Sequence, residues 1–116
     1  MNCKDYNIII INETNMLNYI KFPNYIIEKY KKKYMSPTHF SDLLRLELLI
    51  KYGGTWIDAS VLITEYTKDY FSKDLFFFQE RRTDGCVGSS WFITSEKGSP
   101  ILRTTRDLLF CFSSIF

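Results

Sequence analysis

Two opposite charges sit where a helix should be burying its side chains, and that placement limits what this chain can fold into. From His39 to Tyr52 apolar residues recur at helical spacing. At roughly 100° per residue, Ser41, Asp42 and Arg45 share one arc, because positions three and four apart lie on the same face. Leu48, Leu49 and Tyr52 extend that stripe and are expected inside. Leu43, Leu46 and Ile50 form a second apolar face, and Glu47 and Lys51 are expected to pair on the solvent side. Asp42 and Arg45 are therefore drawn under the surface, where charge is costly unless it is paired or binds something.

Gly53 and Gly54 follow at once and fit the left-handed position that ends a helix. Thr55 to Ile63 then reads as a β-branched apolar strand with one carboxylate, Asp58, inside it. A helix feeding straight into a strand is half of a βαβ unit, so a mostly parallel α/β sheet flanked by helices is expected. In open α/β sheets ligands bind beyond the carboxyl ends of the strands, where Asp58 would face them.

Upstream, Asn7 to Asn12 encloses four isoleucines and reads as a buried strand. A turn at Glu13-Thr14-Asn15 and a short helix over Met16 to Ile20 follow, ended by Pro23. Tyr25 to Tyr34 is expected to be helical, with Lys31, Lys32 and Lys33 at the end where cations favour the helix dipole. Ser36 and Pro37 supply an N-cap and a first helical residue for the central helix. Downstream, Tyr66 to Tyr70 is a connector, Leu75 to Phe78 and Ser90 to Thr94 are strands, and Arg81 to Gly85 is a polar loop. Gly98-Ser99-Pro100 opens a last helix that carries Leu102, Leu108, Leu109 and Phe110.

The chain has 116 residues, 46% of them apolar, and a formal charge of +2, which bounds it to one globular domain and argues against a nucleic-acid partner. Cys3, Cys86 and Cys111 are too widely spaced for a zinc motif or a disulfide framework, as expected of free thiols in a reducing cytosol. Neither a signal peptide nor a membrane-spanning run is visible.

The segment HFSDLLRLELLIKYGGTWIDAS resembles the core motif of the capsular polysaccharide synthesis proteins, part of the wider GT-A glycosyltransferase group. That pattern is Ser-Asp, an Arg three residues on, a Tyr-Gly-Gly-x-Trp turn, and then Asp-x-Asp or a variant. Gly88 to Ile93 and Lys97 to Pro100 look like the same group's second block. The resemblance implies a partial GT-A, Rossmann-like fold and transfer of a sugar from a nucleotide-sugar donor to a polysaccharide or lipid-linked glycan. It also implies a bacterial cytoplasmic setting, with peripheral contact at the inner face of the membrane. By the same carry-over, Ser41, Asp42 and Arg45 orient the donor sugar, Asp58 holds ribose and a metal-bound water, and Gly54, Ser60 and Trp91 complete the donor site. Ser60 stands where the second acid of Asp-x-Asp belongs. A hydroxyl is a poor direct ligand for Mn²⁺ or Mg²⁺, which leaves Asp58 as the one acidic metal candidate of the motif.

Each of these features also has a plainer account. Asp42 with Arg45 fits a buried structural pair, Trp56 a core aromatic, and Trp91 either a core aromatic or a stacking platform for a sugar or base. His39 suits a capping or packing role. Lys31 to Lys33 fit a solvated helix end or contact with anionic headgroups or phosphate, and Arg81 and Arg82 lie within loop reach of a diphosphate. The resemblance places a further strand before Asn7, and the chain closes on the apolar run Phe110 to Phe116. A single, incomplete domain is therefore expected, one that is poorly soluble or molten by itself, or that is completed by a partner chain.

Overall fold

The computed structural model describes residues 7–63, 65–78 and 89–115, with the backbone alone at 65–68 and 112–115. Three α-helices pack with a small sheet in a mixed α/β arrangement. Helix α1 spans Asn24–Lys31 and α2 spans Pro37–Tyr52; strand β1 is Gly54–Ile57, β2 is Leu75–Phe77 and β3 is Phe92–Ser95; helix α3 is Pro100–Ile115. Two stretches of 3₁₀ helix, Met16–Asn18 and Glu65–Ser72, fill the connections.

Helix α2 starts as its residues dictate. The Ser36 side chain accepts from the His39 amide at 3.1 Å, and Pro37 takes the first turn, where no amide partner is needed. It stops at Gly53, whose φ of +69° is costly for any residue with a Cβ. A Cβ at Gly53 would also lie 2.8 Å from the Lys97 backbone nitrogen, so the helix end is pressed against the turn that precedes α3. A hydrogen bond from the Gly98 amide to the Ile50 carbonyl, 2.8 Å, secures the same contact.

The sheet is antiparallel, in the order β1-β3-β2, and this corrects the expected parallel, Rossmann-like arrangement. A parallel unit needs a strand before α2. Residues 7–12 form none, and Ile8, Ile9 and Ile10 are 64%, 51% and 78% exposed rather than buried. The end of that segment is instead held by an asparagine turn in which the Asn12 side chain accepts from the Thr14 and Asn15 amides. β1 therefore pairs with β3, from Gly54 opposite Ser95 to Ile57 opposite Phe92.

Strand β3 is central and buried along its whole length. Ile93 faces Leu46 and Leu49 of α2 and Leu102 of α3. On the opposite face, Phe92 joins a cluster of rings from Tyr70, Phe71, Phe76 and Phe78. A second core gathers Leu43 and Leu44 of α2 with Phe22, Ile26, Met35 and Phe40. Fully buried residues such as Leu43 and Ile26 carry the largest burial free energies, about 1.5–3 kcal/mol each.

Several local expectations change. The strand predicted over Thr55 to Ile63 ends at Ile57, because the Val61 amide closes a turn onto the Asp58 carbonyl. Tyr52 is 51% exposed, and its hydroxyl donates to the Tyr19 carbonyl. Glu47 pairs with Arg106 of α3 at 3.2 Å and not with Lys51, whose Nζ donates to the Tyr19 carbonyl. Tertiary partners have outcompeted the i, i+4 pair, which is worth only about 0.3–0.5 kcal/mol.

Helix α1 is shorter than predicted and closes in a Schellman turn. The Tyr34 amide reaches the Lys29 carbonyl, the Lys33 amide reaches the Tyr30 carbonyl, and Lys33 itself takes φ +62°. The Arg81–Gly85 loop lies outside the described residues. Gly53→Ala is expected to lower stability by about 2 kcal/mol, through left-handed strain and the clash with Lys97. Gly54→Ala also carries left-handed strain, at φ +99°, but its Cβ would meet no atom within 4 Å, so it should cost less. Urea unfolding midpoints of the two variants check the difference.

Candidate functional site

Arg45 comes off the middle of α2 and is 6% exposed. Its Nε donates to the Ser41 carbonyl at 3.3 Å, one turn back, and Nη2 donates to Ser41 Oγ at 3.1 Å. Nη1 donates to the Ser90 carbonyl at 2.8 Å and lies 3.3 Å from Asp42 Oδ1. Nη2 is 3.9 Å from Asp58 Oδ1, and the guanidinium carbon sits 5.4 Å from the Trp56 ring centre. The fork is thus largely saturated by the protein, as a buried cation requires.

Asp58 stands one residue beyond the end of β1. Its amide donates to the Trp91 carbonyl at 3.0 Å, which fixes the backbone against the approach to β3. Trp56 Nε1 donates to its Oδ1 at 2.7 Å, the oxygen that also faces Arg45. Oδ2 has no partner among the described residues, so it is the group there with acceptor capacity to spare. Trp56 and Asp58 are two apart on one strand end and so share a face.

A hollow of about 980 Å³ opens beside this network. Ser41, Arg45, Trp56, Asp58 and Ser60 line it, and Glu13, Tyr19 and Tyr30 line it from earlier in the chain. Tyr30 stacks on Phe40 with ring centres 4.0 Å apart and donates its hydroxyl to Glu13 Oε1. That bond to a carboxylate, then burial and the Glu13 charge, hold the Tyr30 phenol above its usual value of 10.0.

The predicted site residues do not all meet at the hollow. Ser41, Arg45, Asp58 and Ser60 line it together, with Ser60 on the exposed turn after β1. Asp42 stands beside Arg45, half-exposed, but is not part of the lining. Gly54 opens β1 and does not line it either. Trp91 is half-buried and stacks on Phe78, ring centres 4.9 Å apart and planes within 6°. Its side chain therefore serves the sheet's aromatic face, while its carbonyl anchors Asp58.

Sequence reasoning missed three contributors. Trp56, assigned to the core, orients Asp58, and its spacing of two from that residue was a usable signal. The Ser90 carbonyl and the Glu13–Tyr30 pair left no signal, since backbone acceptors and tertiary neighbours have no pattern along the chain.

The motif's resemblance raises a divalent cation, and the protein ligands this corner offers one are few. Asp58 and Ser60 supply one carboxylate and one neutral hydroxyl, and the carboxylate already faces a guanidinium. No group of three acidic, histidine or cysteine side chains is placed to hold a metal among the described residues.

A mixed α/β chain with a charge-linked hollow after its first strand is the class these features define. Residues 1–114 match the family model of capsular polysaccharide synthesis proteins, and the chain belongs to that family. It is also similar, at 44% identity over 34 residues, to an uncharacterized protein of Arabidopsis thaliana. That match covers 29% of this chain and 5% of the plant protein. No solved structure matches.

Two outcomes follow from the geometry. Arg45→Met is expected to cost about 2–4 kcal/mol, because the Ser90 carbonyl loses its donor and both carboxylates lose their counter-charge, and urea denaturation measures it. Below pH 10 the Tyr30 phenol is protonated in both states; above it the unfolded chain ionises first and stability falls. Tyr30→Phe should flatten that alkaline loss in unfolding midpoints taken across the range.

Proposed function

We propose that the protein is a glycosyltransferase that moves a sugar from a nucleotide-sugar donor to a growing capsular or other surface polysaccharide. Family membership supports the biosynthetic setting. The observation that carries the finer reading is the convergence of Ser41, Arg45 and Asp58 on one hollow with aromatic walls. Donor recognition needs hydroxyl-reading oxygens, a flat apolar surface for the base and positive charge near the diphosphate.

In this reading Asp58 Oδ2 accepts from a ribose or sugar hydroxyl. Ser41 accepts from Arg45, which leaves its own proton to donate to a sugar oxygen. Arg45 is foremost a positioning residue. Its donors hold Ser41, Ser90 and the two aspartates, and its fixed charge offsets the negative charge that grows on the leaving diphosphate. Asp42 sets the fork from the side. Ser60 and Trp56 border the donor, and Trp91 acts through its carbonyl. The acceptor, a polysaccharide or lipid-linked glycan, would be met at the inner face of a bacterial membrane, with the protein in the cytoplasm.

The saturation of Arg45 also favours a second reading, a non-catalytic member of the family, or a subunit completed by a partner, in which the network serves only the fold. Calorimetric titration with UDP- and GDP-sugars separates the two. Donor binding is expected for the wild type, weakened about tenfold or more in Asp58→Ala, with the fold intact by circular dichroism. Removing Mn²⁺ and Mg²⁺ with EDTA should leave that binding unchanged, since the site offers a cation few ligands. Absence of binding for every donor would favour the second reading.

A further inference from the structure

The end of α1 carries four lysines in five residues, Lys29, Lys31, Lys32 and Lys33, followed by Tyr34. Glu28 is the one acidic residue on α1. Lys31, Lys32 and Lys33 are exposed, and no ion pair engages them among the described residues. Two choices here run against the needs of the fold. The left-handed position of the Schellman turn, φ +62°, is occupied by Lys33 where glycine would be unstrained. The next residue usually makes an apolar contact back onto the helix, yet Tyr34 is 77% exposed. Residues held in this region of backbone space are enriched where a site makes a demand of its own.

We infer that this lysine-tyrosine tip is a contact surface for the anionic face of a lipid bilayer. Lysines gathered on an exposed turn meet acidic headgroups without requiring a groove, and an exposed tyrosine beside them suits the depth at which aromatic rings settle in a bilayer interface. The same lysines would attract a soluble polyanion, but only an interface with apolar depth gives the exposed Tyr34 ring a place to settle. None of Lys31, Lys32, Lys33 and Tyr34 lines the hollow. No helix among the described residues is long and apolar enough to cross a membrane. Tyr30, one residue before the lysine run, does line the hollow. Docking by this tip would therefore bring that wall of the hollow towards the lipid surface.

Co-sedimentation with vesicles of phosphatidylcholine, with and without phosphatidylglycerol, tests the assignment on the full chain. Binding is expected to the acidic vesicles only, to fall as salt rises, and to weaken about fivefold for each lysine replaced by glutamine at 31, 32 and 33. Lys33→Gly should separate the two roles of that position, raising the unfolding midpoint while weakening vesicle binding about fivefold. Tyr34→Ser should weaken binding without altering its salt dependence. Equal binding to neutral vesicles, or acidic-vesicle binding unchanged in the triple glutamine variant, would overturn the proposal. So would binding by the wild type to soluble dextran sulfate in preference to acidic vesicles. Nucleotide-sugar titration of the triple variant in solution should match the wild type, so the result stands apart from that of the donor-site experiment.

Discussion

The buried guanidinium of Arg45 ties the corner of the candidate site together. Arg45 is almost wholly removed from water, and each of its nitrogens meets an oxygen supplied by the protein. Such a cation is tolerable only when its neighbours are fixed, and by being satisfied it fixes them. Through it α2 is joined to the Ser90 carbonyl just before β3 and to Asp58 just after β1. Two segments some thirty residues apart are thereby brought to one corner. The Asp58 amide on the Trp91 carbonyl reinforces the joint from the backbone.

The scaffold around that corner is small, and its rigidity comes from the middle strand. β3 packs α2 and α3 on one face and aromatic rings on the other, so neither face sees solvent. The Thr55 and Thr94 hydroxyls, 2.8 Å apart, tie β1 to it by side chains as well as by the ladder. Helix α3 is held to α2 by Leu102 and Leu109 and by the Arg106–Glu47 pair. Displacement of β1 relative to α2 would have to break the Gly53 and Gly98 contacts at the helix end.

What was legible in the sequence was mostly local. The Ser36-Pro37 start, the Gly53 stop and the burial of Arg45 follow from capping chemistry, φ preference and helical periodicity. Asp58 was readable as a carboxylate on the β1 segment but was placed inside the strand, whereas the strand is shorter than its β-branched residues suggest and ends at Ile57. Strand direction was not legible. A helix running into a strand has the same local pattern whether the sheet is parallel or antiparallel, and the isoleucines at 8–10 looked buried because composition does not reveal whether a partner strand exists. The site was half legible: Ser41, Arg45 and Asp58 follow from the motif's spacing, whereas the departure of Asp42 and Trp91 from the hollow depends on which way each side chain leans.

The two tryptophans end up in unlike surroundings. Trp56 borders the hollow with its indole nitrogen on Asp58 and a guanidinium near its ring, while Trp91 lies flat against Phe78 on the sheet's far side. The molecule therefore carries its own pair of optical probes. One indole reports on the hollow and its charged neighbours, and the other on the integrity of the strands.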